Sequence, residues 1–271
     1  MRSTTNLLII NLAIADLLFI IFCVPFTAFD FVLTSWPFGD LWCKIVQYMI
    51  VVTAYASVYT LVYMSFDRYL AVVHPITSIS VRTEKNAVLG IIITWLIILL
   101  LSVPVLFKHG EVRYAYQSEN RSACNFIQDD DHDNGKMIFH VIFFATSYAI
   151  PLALICGLYL RMLIRLWWGV APGGRVSAEG RRGRKRVTRM VAIVVAIFAF
   201  CWCPIQVILV LKSMNMYAIT QTTVLIQVIS HVLAYSNSCV NPILYAYLSE
   251  NFRKAFRKVR IRNLSSSVRG R

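Results

Sequence analysis

Six long apolar stretches constrain the fold of this chain more than any other feature. A helix needs about 20 apolar residues to cross the hydrocarbon core of a bilayer, and each stretch is long enough to do so. Hydrophobic residues make up 58% of the sequence and charged residues only 15%, which is typical of polytopic membrane proteins. The stretches lie near residues 5–33, 40–73, 85–106, 137–168, 187–212 and 222–248. We therefore predict an all-α membrane bundle over residues 1–248.

The placement of charge predicts the orientation of these spans. The net charge is +14, and basic residues concentrate at 161–189 and 253–271, whereas acidic residues fill the loop at 107–136. Because basic loops stay in the cytosol, the loops at 74–84 and 169–186 and the C-terminus are expected inside, and the acidic loop outside. Topology and attraction to anionic lipid account for most of this charge, so nucleic-acid binding is not predicted. Holding a cytosolic partner is the alternative role.

The C-terminal residues 249–271 are predicted to form a short amphipathic helix and a cytoplasmic tail. Phe252, Phe256 and Val259 share one face of this helix, and basic residues occupy the other. Such a helix lies on the inner leaflet of the membrane, with its apolar face among the lipid chains.

The cysteines agree with this orientation. Five of the seven fall inside apolar spans, where a thiol usually packs as a small residue. Cys43 and Cys124 lie instead at the outer end of the second span and in the outer loop, on the oxidising side of the membrane. We predict a disulfide between them that ties the loop across the mouth of the bundle. In the same loop, Asn120 begins an Asn-Arg-Ser sequon and is a predicted glycosylation site.

Two of the spans carry polar residues that lipid would penalise. Asp16 lies in the first span, where a carboxylate costs roughly 2.5–3.5 kcal/mol on insertion scales, so it should face the interior and find partners or an ion. The sixth span carries Asn-Ser-Cys-Val-Asn-Pro at 237–242, and its proline frees a backbone carbonyl that neighbours must satisfy. Both spans are therefore expected to face other helices.

Two further motifs indicate side chains that could change their contacts when the protein changes conformation. Asp67-Arg68-Tyr69 ends the second span, and neighbouring positions on a helix point about 100° apart, so the acid and base do not form an ordinary surface pair. An arginine held by an adjacent carboxylate suits a change of partner, whereas an arginine that only snorkels into headgroups is the alternative. The run 198–204 places Trp202 near a helix-kinking proline, where the indole either changes rotamer or simply packs.

Together these motifs resemble those of rhodopsin-like G-protein-coupled receptors. The matching residues, in the order of that family, are Asp16, Asp67-Arg68-Tyr69, Trp95, Pro151, Tyr159, Cys201-Trp202-Cys203-Pro204 and Asn241-Pro242-Ile243-Leu244-Tyr245. Within the family the chain resembles the peptide-receptor branch, and allatostatin-A and galanin receptors in particular, through 36–39 and 74–84. One departure is large, because the family has seven spans and places its aspartate in the second. The resemblance therefore implies that the first helix of the family is missing from this chain.

The resemblance implies a resting state and an activated state. An allosteric sodium ion, with no other cofactor, would bind to Asp16, Ser57, Asn237, Ser238 and Asn241. The residues that would rearrange on activation are Asp67, Arg68, Tyr69, Val58, Pro151, Tyr159, Phe198, Trp202, Pro204, Pro242 and Tyr245. Arg68 would leave Asp67 and approach Tyr159 and Tyr245. This movement would open a site for a heterotrimeric G protein of the inhibitory class and for arrestin, on the cytoplasmic side of the plasma membrane.

The resemblance also implies the class of ligand. Where amine and opioid receptors carry a salt-bridging aspartate, this chain has Ile50, so a small cationic amine lacks its usual anchor. The predicted ligand-binding residues are Gln47, Ile50, Val51, Ile205, Gln206, Leu209, Gln227, His231 and Tyr235. This apolar and hydrogen-bonding mixture suits an extracellular neuropeptide, although each residue is also compatible with ordinary packing.

Other functional classes fit this sequence less well. A transporter would show inverted repeats or paired broken helices, and the sequence has no internal repeat. An intramembrane hydrolase would need paired aspartates or a serine–histidine pair, whereas Asp16 is the only acid well inside a span, so no enzyme is predicted. Two alternatives stay open. One is a truncated, non-signalling membrane protein that associates with full-length receptors, and the other is a receptor for another peptide of the somatostatin or opioid type.

Overall fold

The fold is a helical bundle, seen in a computed structural model that describes residues 4–116, 119–127, 134–168 and 178–248. Among these residues, six segments are helical, long and apolar enough to cross a membrane. They are Thr4–Val32, Gly39–Val73, Glu84–Lys108, Gly135–Arg165, Val191–Ser213 and Gln221–Asn241. The predicted fold class, a polytopic helical membrane bundle, is therefore confirmed. The predicted amphipathic helix and tail at 249–271 lie outside the described residues.

Short connections join most of the helices and strands. The elements are α1 (Thr4–Phe22), α2 (Val24–Val32), α3 (Gly39–Val73), α4 (Pro75–Val81), α5 (Glu84–Leu101), α6 (Val105–Lys108), β1 (His109–Tyr116), β2 (Glu119–Phe126), α7 (Gly135–Phe144), a π-helical turn (Ala145–Ala149), α8 (Ile150–Trp168), α9 (Ala178–Ser213) and α10 (Gln221–Leu248). Helix α9 begins at Ala178 rather than near 187, because its first turns are polar but rich in Ala, Glu, Arg and Lys, which are good helix formers.

Two of the predicted spans are interrupted next to prolines. The first span divides into α1 and α2 because Pro25 cannot donate a backbone hydrogen bond and its ring crowds the preceding turn. Beside this break, the carbonyl of Cys23 accepts two hydrogen bonds from Thr27, whose N–H and hydroxyl lie 3.0 and 2.9 Å away. In the fourth span the π-helical turn directly precedes α8, whose second residue is Pro151. A widened turn accommodates the helical hydrogen bond that proline cannot make.

The all-α prediction missed one element, a two-stranded hairpin in the outer loop. Strands β1 and β2 pair antiparallel, with His109 opposite Phe126 and Tyr116 opposite Glu119. The strand signal is short and lies in a loop with many charged residues, so the sequence indicated only a tethered acidic loop. The structure therefore has a hairpin over the outer end of α3, where the sequence predicted only a loop.

The core of the bundle is built around α3, which contacts α1, α5, α8 and α9. Leu12, Val58 and Met64 are among the side chains buried there. Two consecutive side-chain hydrogen bonds also connect three helices. Trp95 Nε1 of α5 donates to Asn11 Oδ1 of α1 at 2.8 Å. Asn11 Nδ2 in turn donates to Thr60 Oγ1 of α3 at 2.7 Å. These hydrogen bonds satisfy polar groups that the hydrocarbon region would penalise.

Candidate functional site

A buried polar cluster surrounds Asp16 on α1. This side chain is 1% exposed and accepts a hydrogen bond from Ser57 Oγ of α3 at 3.2 Å. It also accepts hydrogen bonds from Ser238 Oγ and Asn241 Nδ2 of α10, both at 2.9 Å. One carboxylate therefore joins three helices, and these donors offset the cost of its burial. The structure brings four of the five predicted sodium-site residues into direct contact.

Two amide oxygens of this cluster have no hydrogen-bond partner among the described residues. They are Asn237 Oδ1 and Asn241 Oδ1, and both side chains are buried. Asn237 is not among the hydrogen-bond partners of Asp16 in the described part of the chain. A carboxylate, two hydroxyls and two amide oxygens nevertheless form the kind of hard oxygen set that small cations prefer. The residues present fit a sodium ion.

A second buried carboxylate, Asp67, lies near the inner end of α3. It is 4% exposed, and Arg68 Nη2 donates to its Oδ2 at 2.7 Å. The Nε atom of Arg68 is buried without a partner among the described residues. Arg68 therefore keeps bonding capacity for a new partner. Tyr69, the third residue of the motif, pairs instead with His74, whose Nε2 lies 3.3 Å from the tyrosine hydroxyl.

A second arginine on Asp67 was missed by the sequence analysis. Arg82, which follows α4, donates from Nε to Oδ1 at 2.7 Å and from Nη2 to Oδ2 at 3.0 Å. Thr4 and Thr5 of α1 donate to the same carboxylate at 3.1 and 3.4 Å. Asp67 therefore retains a cation and two hydroxyls if Arg68 moves away.

The predicted repacking residues lie in the main core. Val58, Phe198 and Trp202 belong to one buried cluster, and the ring centroids of Phe198 and Trp202 are 6.0 Å apart. Pro151 is also buried, on α8. Pro204 lies inside α9, which continues through it. Trp202 therefore packs on Phe198, another of the residues predicted to rearrange.

The remaining predicted switch residues lie toward the inner end of α8 and on α10. Tyr159 of α8 donates from its hydroxyl to the Thr188 carbonyl of α9 at 3.4 Å. Pro242 and Tyr245 lie on α10, and their side chains fall outside the described part of the chain. The Tyr159 hydroxyl therefore connects α8 to α9.

An aromatic path that the sequence analysis did not predict leads from Trp202 toward the outer mouth of the bundle. The ring of Phe19 on α1 lies 6.1 Å from that of Trp202 and 5.0 Å from that of Tyr235. The ring of His231 lies 5.6 Å from Tyr235 and 5.2 Å from Phe31. Two predicted ligand-binding residues, His231 and Tyr235, are thus connected to the predicted rotamer switch through Phe19.

The other predicted ligand-binding residues divide between packing and polar contacts. Those that pack in or against the main core are Ile50, Val51, Ile205 and Leu209. Gln47 Nε2 lies 3.6 Å from Cys124 Sγ, and Gln227 Oε1 accepts from Lys212 Nζ at 3.3 Å. Lys212, near the outer end of α9, was not predicted and places a cation beside Gln227.

The outer hairpin is fastened to the bundle by covalent and polar contacts. A disulfide joins Cys43 of α3 to Cys124 of β2, with 5.4 Å between their Cα atoms, as predicted. Asp30 of α2 accepts a hydrogen bond from the Cys124 N–H at 3.0 Å. Asn120, the predicted glycosylation site, is exposed on β2. The hairpin is therefore held at two helices while the sequon faces outward.

Six helices long and apolar enough to cross a membrane enclose two buried carboxylates, Asp16 and Asp67, as expected of a multi-pass membrane protein. The family described as 7 transmembrane receptor (rhodopsin family) matches residues 1–245. The chain is 65% identical to the allatostatin-A receptor of Bombyx mori, over 96% of this chain and 71% of that protein. The chain belongs to the rhodopsin family of seven-transmembrane receptors, which is not an enzyme family.

Galanin receptors are also similar to this chain. Galanin receptor type 3 of Homo sapiens is 40% identical over 95% of this chain and 68% of that protein. Galanin receptor 2b of Danio rerio is 38% identical over 95% of this chain and 66% of that protein. The similarity therefore extends over nearly all of this chain in insect and vertebrate receptors.

Proposed function

We propose that this chain acts as a G-protein-coupled receptor for a neuropeptide of the allatostatin-A class. The observation that carries the proposal is the 65% identity to a protein named as an allatostatin-A receptor. The identity to galanin receptors is lower, 38–40%, so a galanin-like peptide is the second candidate. The apolar environment of Ile50 supports a peptide rather than a small amine, because it offers no carboxylate for an ammonium group.

The peptide binds, in this proposal, at the outer end of the bundle in the plasma membrane. His231 and Gln227 of α10 and the Lys212 ammonium offer aromatic, amide and cationic contacts there. A peptide activates the receptor only to the extent that it binds the activated state more tightly than the resting state. The aromatic path from His231 to Trp202 supports a direct mechanical connection between ligand and core.

The G protein binds at the inner end, where Arg68 becomes available after it leaves Asp67. Breaking a buried ion pair by removing one partner typically costs about 3–5 kcal/mol, because a charge is left uncompensated. Arg82 lowers this cost, since it stays on both oxygens of Asp67. We assign Arg82 the role of holding the carboxylate while Arg68 changes partner.

Further partners follow from the resemblance and from charge. An inhibitory-class G protein and arrestin would bind on the cytoplasmic side of the membrane, where the C-terminus would also lie. Anionic lipid would contact the basic inner surface, since Lys and Arg outnumber Asp and Glu by 27 to 13. These partners complete the proposed arrangement, with the peptide outside and signalling proteins inside.

A sodium ion is proposed to stabilise the resting state at Asp16. The ion, when bound, supplies a positive charge that offsets the buried carboxylate. Asp16, Ser57 and Ser238 would hold it, with the unpartnered amide oxygens of Asn237 and Asn241 as further ligands. These residues link α1, α3 and α10, so the ion would hold the three helices in their resting arrangement.

Asp16→Asn is expected to remove the sensitivity of agonist affinity to sodium. The amide keeps the shape of the carboxylate but lacks the charge that attracts a cation. Peptide affinity should be measured in sodium chloride and in choline chloride at equal ionic strength. Sodium should weaken binding to the native receptor and leave the variant unchanged. An equal sodium effect on both proteins would contradict the proposed site.

The proposed function is tested by peptide-stimulated nucleotide exchange on a G protein. Allatostatin-A peptide is expected to stimulate exchange saturably, and at lower concentrations than galanin. The comparison uses the same membranes for both peptides, so receptor abundance cancels. Stimulation by galanin alone would favour the second candidate.

A further inference from the structure

The π-helical turn of the fourth span leaves one backbone carbonyl without a donor in its own helix. The N–H of Ile150 bonds to the carbonyl of Ala145, five residues back. In the same pattern the carbonyl of Thr146 would accept from residue 151, which is proline and has no N–H. Unpaired backbone groups are strongly unfavourable inside a membrane, so the Thr146 carbonyl requires a donor from another helix.

Two tyrosines of α3 converge on Thr146. Tyr59 donates from its hydroxyl to the Thr146 carbonyl at 3.1 Å. The Thr146 hydroxyl has one hydrogen, which it donates to the Ile142 carbonyl at 2.6 Å. Tyr55, whose hydroxyl lies 2.8 Å from that of Thr146, must therefore be the donor of the bond between them. The two tyrosines lie four positions apart on one face of α3, so this helix binds both the main chain and the side chain of Thr146.

The alternative to the π-helical turn is an uninterrupted α-helix. Ile150 would then bond to Thr146, and Pro151 would leave the carbonyl of Ser147 without a donor. None of the described side chains donates to the Ser147 carbonyl, whereas Tyr59 donates to that of Thr146. Each register thus leaves one carbonyl that only another helix can pair, and α3 pairs the carbonyl that is left free in the π-helical register.

The register of this turn determines how α7 is rotated relative to α8. Successive residues of an α-helix lie about 100° apart, so removing the extra residue of the turn would rotate α7 by about that angle. Phe143 of α7 packs on Tyr55, with 5.6 Å between their ring centroids. Tyr148, within the turn, donates to the Ala199 carbonyl of α9 at 2.8 Å. Both contacts depend on this rotation, so the register also determines how the outer half of the span meets α3 and α9.

We infer that Tyr59 is a positioning residue that holds the fourth span in its π-helical register. Its hydroxyl pairs the carbonyl that Pro151 leaves free, and it thereby fixes the rotation of α7, on the outer side, against α8, which carries Tyr159 toward the cytoplasmic side. The effect on peptide binding rests on the proposed receptor function, whereas the effect on the turn does not.

Hydrogen exchange in the turn tests the inference without any ligand. The native protein, Tyr59→Phe and Tyr48→Phe are compared in lipid nanodiscs, and mass spectrometry reads exchange from peptides that cover residues 145–150. Tyr48→Phe is the matched control, because the Tyr48 hydroxyl of α3 also donates to a backbone carbonyl, that of Leu99, at 2.9 Å. Tyr59→Phe should speed exchange in this segment about tenfold, since it leaves a carbonyl unpaired, and the control should not. Unchanged exchange in Tyr59→Phe would overturn the inference.

Dependence on Pro151 separates positioning from ordinary packing. With Pro151 in place, Tyr59→Phe should also weaken peptide binding about tenfold, because a smaller fraction of the receptor holds the competent register. Pro151→Ala restores an N–H that can pair the Thr146 carbonyl, so adding Tyr59→Phe to it should change neither exchange nor affinity further. Equal effects of Tyr59→Phe in both backgrounds would show a merely structural role and would overturn the inference. If Pro151→Ala fails to fold, the exchange comparison between Tyr59→Phe and Tyr48→Phe decides.

Peptide binding distinguishes this inference from the proposed function. If no peptide binds the native receptor saturably, the proposed function fails, and the exchange rates still decide the role of Tyr59. If the native receptor and Tyr59→Phe bind peptide equally well and exchange at equal rates, the inference is wrong and the receptor function stands.

Discussion

Arg68→Ala is expected to eliminate G-protein activation while leaving peptide affinity largely unchanged. Arg68 lies at the inner end of α3, where it donates a hydrogen bond to Asp67 at 2.7 Å, far along the helix from predicted ligand residues such as Gln47. The fold should tolerate the change, because Asp67 keeps Arg82 and two threonine hydroxyls. Nucleotide exchange and peptide binding should be measured on the same membranes. Unchanged signalling by this variant would refute the change-of-partner role.

Arg82→Ala is the matched control for this experiment. It removes a cation from the same carboxylate but spares the arginine that is released to the G protein. Activation should decrease without disappearing, because the departure of Arg68 would then leave Asp67 with hydroxyl donors alone. Equal losses of G-protein activation in both variants would show that only the total positive charge beside Asp67 matters, and would contradict a separate role for Arg68.

Replacing Cys43 or Cys124 by Ala is expected to abolish peptide binding and to reduce surface expression. The disulfide joins residues 81 positions apart, and cross-links of this kind typically stabilise a protein by about 2–4 kcal/mol. It also positions Cys124, whose N–H donates to Asp30, so its loss weakens the attachment of the hairpin to α3 and α2. Radioligand binding and surface labelling measure the two effects separately.

Cys156→Ala provides the control for the loss of a thiol. Cys156 is a free cysteine, exposed on α8, so its replacement should change neither binding nor expression. Mass mapping of the unreduced protein should also recover Cys43 and Cys124 as one linked peptide. Recovery of both as free thiols would contradict the assigned outer side of the membrane.

The spans and the Asp16 cluster could be predicted because membrane physics acts on short stretches of sequence. Twenty apolar residues identify a span wherever its partners lie, and a carboxylate inside one must face the interior. Only the resemblance, however, connected Asp16 with Ser57 and Asn241. The structure supplies that link, since both side chains donate to Asp16 from other helices.

The contacts that were not predicted form between segments that lie far apart in the sequence and come together only in the folded bundle. Arg82 lies in a loop 15 residues beyond Asp67, and nothing in its local sequence distinguishes it from other basic loop residues. Phe19 is one of many apolar residues in its span, so its place between Trp202 and Tyr235 emerges only when three helices pack. The break at Pro25 and the π-helical turn before Pro151 had a local signal, the proline itself.

Peptide-driven nucleotide exchange tests the receptor function most directly. The receptor, in membranes with a purified heterotrimeric G protein, is titrated with allatostatin-A peptide, and Arg68→Ala serves as the inactive reference. Exchange should rise saturably on the native receptor, stay at the unstimulated level on Arg68→Ala, and require more galanin than allatostatin-A peptide. Saturable peptide binding without any rise in exchange on the native receptor would contradict this account and favour a non-signalling membrane protein.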